Sequence, residues 1–146
     1  LRSNKYEIVR NEEEDYVIGI QPSTIISDFK NNFENNPEDL KVYLETSEIS
    51  DTELTATALV LKLEKNGYIY DTLRVIVRGD LTKDGKVNIT DQVKMINFVG
   101  RTTTFDKYQM LAGDLTFDGK VNITDQVKII NYVGRTISDI NTKPTN

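Results

Sequence analysis

The sequence predicts two modules in series: an all-β module over residues 1–78 and a small all-α module over residues 79–140, followed by a C-terminal tail over 141–146. Three observations predict this. Residues 1–78 carry apolar, β-branched stretches separated by polar turns. Residues 79–102, GDLTKDGKVNITDQVKMINFVGRT, recur as residues 113–136, GDLTFDGKVNITDQVKIINYVGRT, at an offset of 34. Each copy opens on an acidic, glycine-containing loop and closes on a helical pattern, so one loop–helix unit is made twice. The copies differ only at Lys83/Phe117, Met95/Ile129 and Phe98/Tyr132.

In the β module, residues 16–20, 40–44, 58–63 and 68–77 read as strands of an antiparallel sheet. Asn66-Gly67 is a hairpin turn signal between the last two. Neither a two-residue nor a three-residue loop sorts the flanking apolar side chains onto one face, so the register stays open. Between the first two strands, Ser23 is the expected N-cap of a short helix carrying Ile25, Phe29 and Phe33 at i, i+4 and i+8. The runs 12–15 and 46–57 read as solvated loops or weak edges. Tyr6, Tyr16, Tyr43, Tyr68 and Tyr70 are expected to pack in the core or on the sheet rather than to line a ligand site.

In the repeat, the chemistry lies in the oxygen atoms. With Asp80 as position 1, carboxylates stand at 1, 5 and 12 (Asp80, Asp84, Asp91), a hydroxyl at 3 (Thr82) and an amide at 9 (Asn88). Asp114, Thr116, Asp118, Asn122 and Asp125 repeat them. A hard cation such as calcium takes six to eight oxygens, and a twelve-residue loop supplies them from these positions plus the position-7 carbonyl, here of Lys86 and Lys120. Gly85 and Gly119 stand at position 6, where the loop turns sharply. An Asp-Gly turn before a capped helix needs no metal, but two copies with every donor in register favour two calcium ions. Thr at position 3 brings no charge. Asp at position 12 is one methylene shorter than the usual Glu, so the helix must approach the ion more closely.

The exiting helices are expected to start near Thr90 and Thr124, with the position-12 Asp in the first turn. Val93, Met95, Ile96 and Val99 are expected to form the core side of the first. Gly100 and Gly134 are expected at C′-like positions. Phe105, Tyr108 and Leu111, at i, i+3 and i+6, predict a short packed helix in the connector. A polar stripe, Thr90, Lys94, Asn97 and Arg101, recurs as Thr124, Lys128, Asn131 and Arg135, with Ile89 and Ile123 at its ends. Neither coordination nor core packing dictates these residues, so they are the candidate partner surface.

Composition narrows the function classes. The 146 residues contain no Cys, His or Trp, so disulfides, thiolate sites and histidine chemistry are excluded. In residues 1–78 no defensible acid–base pair of carboxylates appears, and an enzyme is not expected. Residues 1–78 hold nine Lys/Arg and fifteen Asp/Glu, residues 79–146 nine and eight, and neither half has the basic stripe of a nucleic-acid binder. No apolar run reaches membrane-spanning length. The chain opens on Leu1, and it is read as a piece of a longer protein.

The residues entering the first loop, LRVIVRG at 73–79, read as a strand, so only the exiting helix of a helix–loop–helix unit is present. A doubled calcium loop with a single exiting helix and a short helical connector resembles the dockerin modules of cellulosome-type assemblies. The resemblance covers residues 79 to about 138. Gln92 and Gln126 depart from it, since dockerins usually have an aliphatic residue there. The resemblance implies two EF-hand-like calcium motifs and a cohesin of a scaffold or surface protein as partner. Its contacting residues map to Ile89, Thr90, Lys94, Asn97, Arg101 and their copies. It also implies an extracellular, polysaccharide-degrading setting and, from internal symmetry, docking in either of two orientations. A small β module directly upstream resembles the X-modules of that family, which implies an immunoglobulin-like sandwich that braces the dockerin. The rival reading is a carbohydrate-binding or adhesive β module on a calcium-stabilised stalk. A calcium sensor is disfavoured by the missing entry helix.

Overall fold

A computed structural model describes residues 1–143. Residues 144–146 of the expected tail lie outside the described residues. Among the described residues six strands form one mixed sheet: β1 (Glu7–Val9), β2 (Tyr16–Ile18), β3 (Leu40–Leu44), β4 (Ser47–Glu48), β5 (Val60–Lys65) and β6 (Tyr68–Val75). Their order is β1-β2-β6-β5-β3-β4. Among the described residues there are also four short α-helices, α1 (Ile26–Asn31), α2 (Ile89–Val99), α3 (Lys107–Gly113) and α4 (Ile123–Val133), and one 3-10 turn at Pro37–Asp39.

This corrects the expected fold class. An immunoglobulin-like sandwich needs two facing antiparallel sheets, and here all six strands share one sheet in which β2 pairs with β6 in parallel. The repeat is not a self-contained all-α module either. Side chains alternate across a strand, and Val17, Val75 and Val77 face a first core with Phe29, Phe33 and Leu61. Their neighbours Tyr16, Ile18 and Ile76 face a second core with Leu81, Met95, Leu115, Ile129 and Ile140. One end of the sheet therefore lies between α1 and the repeat, and the two cores share its strands.

The β5–β6 hairpin closes on Lys65↔Tyr68 with Asn66 and Gly67 at φ 55° and 82°, a two-residue turn with both central residues left-handed. A register shift at Leu63/Glu64 flips the alternation midway, which is why no single loop length sorts the apolar residues. Tyr68 and Tyr70 lie beyond it and are exposed, against the expected packing, whereas Tyr6 is buried beside Phe29 and Phe33. Helix α1 starts later than expected, with Ile25 as N-cap and Ile26 buried, while Ser23 has φ 66° and caps nothing.

Candidate metal centres and helix stripes

Each loop is built by its own carboxylates. Asp80 Oδ1 accepts the Asp84 N–H at 3.0 Å and Oδ2 the Gly85 N–H at 2.9 Å, so the position-1 side chain organises the turn. Asp91 Oδ1 accepts from Leu81 N, Thr82 N and Thr82 Oγ1 at 2.9–3.0 Å, and its Oδ2 accepts the Asn88 N–H at 2.9 Å. Asn88 caps α2 through Thr90 N at 3.1 Å, completing a reciprocal capping box with Asp91. Lys86 donates its N–H to Asp84 Oδ1 at 2.9 Å.

The second loop repeats the pattern. Asp114 accepts from Asp118 N and Gly119 N at 3.1 and 2.9 Å. Asp125 accepts from Leu115 N, Thr116 N and Thr116 Oγ1 at 2.8–3.1 Å, and from Asn122 N at 2.9 Å. Asn122 caps α4 at Thr124 N, and Lys120 N donates to Asp118 at 3.0 Å.

The structure thus brings Asp80, Asp84 and Asp91 together, and Asp114, Asp118 and Asp125, with one carboxylate oxygen of each within 4.8 Å of the others in its group. Asp80, Asp91 and Asp125 are fully buried. Burial pushes the Asp80 carboxyl up to about 6, against the pull of its N–H donors, and the neighbouring Asp91 charge adds to the rise. Burial also raises Asp91 and Asp114. Buried like charges at this spacing are costly unless a cation neutralises them. Three carboxylates and an adjacent threonine hydroxyl converging at a tight turn suit a hard divalent ion, while the Asn88 and Asn122 amide oxygens are engaged as helix caps.

The loops differ in their surroundings. Asp80 Oδ2 accepts a further N–H, from Thr57 at 2.9 Å in a buried position, and Ser23 N donates to the Gly85 carbonyl at 2.8 Å. A Cβ on Gly85 would stand 2.7 Å from Leu54 Cβ and 2.8 Å from the Thr55 carbonyl oxygen. At Gly119, nothing among the described residues lies within 4 Å of that position. The first loop is seated on segment 54–57, whereas the second is open at its turn glycine and is covered at Phe117, over which the Arg78 guanidinium lies at 3.8 Å.

Both helices present a double stripe. Met95 is buried and Val99 half-buried, as expected for a core side, but Val93 and Ile96 are exposed, a correction to that side. With Ile89 they form an outward apolar row at i, i+4 and i+7, which α4 repeats as Ile123, Val127 and Ile130. Exposures of 56, 48 and 39% on α2 stand beside 55, 51 and 37% on α4, so the two rows are equally available. The signal is present in the i, i+4, i+7 spacing, of which the sequence places Ile89 and Ile123 on the partner side and Val93 and Ile96 in the core. Thr90, Asn97 and Arg101 lie exposed beside the α2 row, with Lys94 partly so. Their copies Thr124 and Arg135 are exposed, Asn131 is half-buried, and Lys128 Nζ is held by the Leu115 and Thr142 carbonyls at 2.6 and 2.5 Å.

Helix α2 ends in a Schellman arrangement: Arg101 N bonds to the Phe98 carbonyl and Thr102 N to that of Asn97, at 3.0 and 2.8 Å. The left-handed residue is Arg101, φ 64°, and not Gly100, which keeps helical geometry at φ −77°. Arg135 repeats it at φ 63°. The expected C′ glycines thus sit one position earlier. In the connector, Asp106 caps α3, and Phe105, Tyr108 and Leu111 pack against the second core as expected. Tyr108 also ties the halves together, donating to Glu14 Oε1 at 2.7 Å while Arg74 holds Oε2 at 2.8 Å.

A sheet-borne pair of acidic loop–helix units with outward apolar rows defines the class of protein. Residues 78–134 match the family model of the dockerin type I domain. Among solved structures, the chain is similar to one from a type I cohesin–dockerin complex of Clostridium thermocellum, at 30% identity, covering 46% of this chain and 99% of that one with a TM-score of 0.43. It is also similar to one from a complex of the third ScaC cohesin with the ScaB dockerin of Acetivibrio cellulolyticus, at 28% identity, covering 45% of this chain and 93% of that one with a TM-score of 0.42. No curated protein matches the chain. Among the described residues, no helix is long and apolar enough to cross a membrane.

Proposed function

We propose that this chain is a non-catalytic, calcium-dependent attachment module that docks a larger secreted protein onto a cohesin of an extracellular scaffold or surface protein. The observation that carries it is the pairing of the dockerin type I match over residues 78–134 with a three-carboxylate cluster at the start of each repeat. Two calcium ions would be held by Asp80, Thr82, Asp84, Asn88, Asp91 and the Lys86 carbonyl, and by Asp114, Thr116, Asp118, Asn122, Asp125 and the Lys120 carbonyl. Calcium supplies charge neutralisation and joins the ends of each loop. The chain's own carboxylates set the turn and orient the helix N-terminus, so metal binding contributes to folding.

The outward rows supply the docking contact. Ile89, Val93 and Ile96 give an apolar centre, and Thr90, Lys94, Asn97 and Arg101 a polar rim. Ile123, Val127 and Ile130 with Thr124, Lys128, Asn131 and Arg135 give a second one. Their matched exposure supports docking in two orientations about half a turn apart. The sheet braces the repeat.

Titration of the chain with a panel of isolated cohesin modules, in calcium and in EDTA, tests the proposal. Binding in calcium that disappears in EDTA is the expected result, and binding to no cohesin in calcium, or equal binding in EDTA, refutes it. A second reading rests on the exposed hairpin residues Tyr68 and Tyr70, which suit a sugar ring. Retention on polysaccharide that is lost in Tyr68→Ala with Tyr70→Ala would move the function to the sheet.

A further inference from the structure

The two calcium loops have nearly identical sequences, yet the fold treats them differently. We infer that segment 54–57 is a built-in part of the first cation site, acting through Asp80 and Gly85, so that the first loop holds its ion more tightly and releases it more slowly than the second. The inference rests on the calcium reading above and adds an order of occupancy to it.

The geometry acts at two points. Asp80 Oδ2 accepts both Gly85 N and Thr57 N at 2.9 Å, whereas Asp114 Oδ2 accepts Gly119 N. An N–H donor behind a metal-ligating carboxylate fixes its orientation and lowers the reorganisation needed on binding. Thr57 is itself fixed, because its Oγ1 lies 3.1 Å from both the Val77 carbonyl and the Val77 N–H at the end of the sheet. The Ser23 N–H on the Gly85 carbonyl and the packing of Leu54 and Thr55 against Gly85 hold the sharp turn from outside. Asp80 is fully buried and Asp114 only partly so, hence the first ion would sit where water competes less.

Differences of this kind matter because the ion-holding oxygens are otherwise equivalent: Asp, Thr, Asp, Lys carbonyl, Asn and Asp in each loop. Sequence alone gives the sites one affinity. The fold separates them, and it makes the sheet responsive to the first ion. Thr57 is a positioning residue here, since its amide reaches the ion only through Asp80. Holding the carboxylate in its binding orientation with one such charge-assisted hydrogen bond corresponds to about tenfold in affinity.

Terbium, which tyrosine sensitises, is loaded on the full chain and chased with EDTA in a stopped-flow instrument. The expected trace has two release phases about tenfold apart. Asp84→Asn should abolish the slow phase and Asp118→Asn the fast one. Thr57→Pro, which deletes the N–H, should accelerate the slow phase about tenfold. If that variant does not fold, hydrogen exchange of the Thr57 amide decides instead: strong protection that is lost in Asp84→Asn and kept in Asp118→Asn supports the inference. A single release phase, a slow phase assigned to the second loop, or Thr57 protection independent of the first loop overturns it. Failure to bind terbium or calcium in either loop would overturn the calcium reading as well, and is distinguished by the absence of any luminescence gain.

Discussion

Gly85→Ala and Gly119→Ala make the same change at the same position of two nearly identical loops, so their difference isolates what the sheet does to the first. Both glycines have left-handed backbones, φ 83° and 80°. An alanine there costs about 1–2 kcal/mol of backbone strain in either loop. At Gly119 the new methyl meets open space among the described residues, so strain is the whole cost. At Gly85 it meets Leu54 Cβ at 2.7 Å and the Thr55 carbonyl oxygen at 2.8 Å. Neither neighbour retreats freely, because Thr55 N is bonded to the Thr24 carbonyl at 2.8 Å and Ser23 N to Gly85 itself. Overpacking of this kind adds about 1–3 kcal/mol. Gly85→Ala should therefore be less stable than Gly119→Ala by about 2 kcal/mol, which moves the urea midpoint by about 1 M at an m-value of about 2 kcal/mol/M. Urea unfolding in saturating calcium, followed by both helicity and tyrosine fluorescence, measures it. Equal midpoints for the two variants would refute the seating of the first loop on segment 54–57.

Asp80→Ala with Asp114→Ala removes the position-1 carboxylate, the acceptor of each turn, from both loops; helicity at 222 nm should fall and, on the calcium reading proposed above, stay low in millimolar calcium. Arg101→Gly relieves a left-handed arginine and should stabilise the chain by about 0.5–1 kcal/mol in thermal melts, while weakening cohesin affinity if Arg101 is part of the rim. Glu14 gives a pH test. Burial raises its carboxyl, but hydrogen bonds from Arg74 and Tyr108 outweigh that and leave it below the usual glutamate value. A group with a depressed folded-state pKa stabilises above its unfolded value and loses that contribution as pH falls through the folded one. Glu14→Gln should accordingly cost about 1 kcal/mol at pH 7, with the gap to the parent chain closing below about pH 4.

The repeat was legible because its information is local. The spacing of the oxygen donors and the turn glycines lie within one loop of their partners, and the Asn88–Asp91 capping box, equally local, is supplied by the structure rather than by the sequence. The sheet was less so. Strands β1 and β4 are three and two residues long, too short to show a period, and the parallel β2–β6 pairing joins segments more than 50 residues apart. Nothing in residues 1–78 announces that Tyr16 and Ile18 belong to the core of the repeat. The misassignment of Val93 and Ile96 has another cause. Helix α2 is apolar on two sides, and periodicity reports apolar positions without saying which of them another element covers.

That second apolar side is the informative one. A helix needing only to close a small core would keep Met95 and Val99 and surround them with charge, yet Ile89, Val93 and Ile96 remain in water, and α4 keeps the same three positions exposed. The rows leave core packing unserved and cost solubility, and a shared ancestry for the repeat does not make them stable in solvent. Arg101 and Arg135 add a second unfavourable choice, each holding a left-handed conformation that the glycine one position earlier would take at lower cost. Unfavourable choices repeated at one end and along one side of both helices are best accounted for by a partner that covers those sides. If so, Ile89→Asp combined with Ile123→Asp should raise solubility and leave urea stability within about 0.5 kcal/mol, while abolishing cohesin binding in calcium. A double variant that still binds would place the contact elsewhere on the chain.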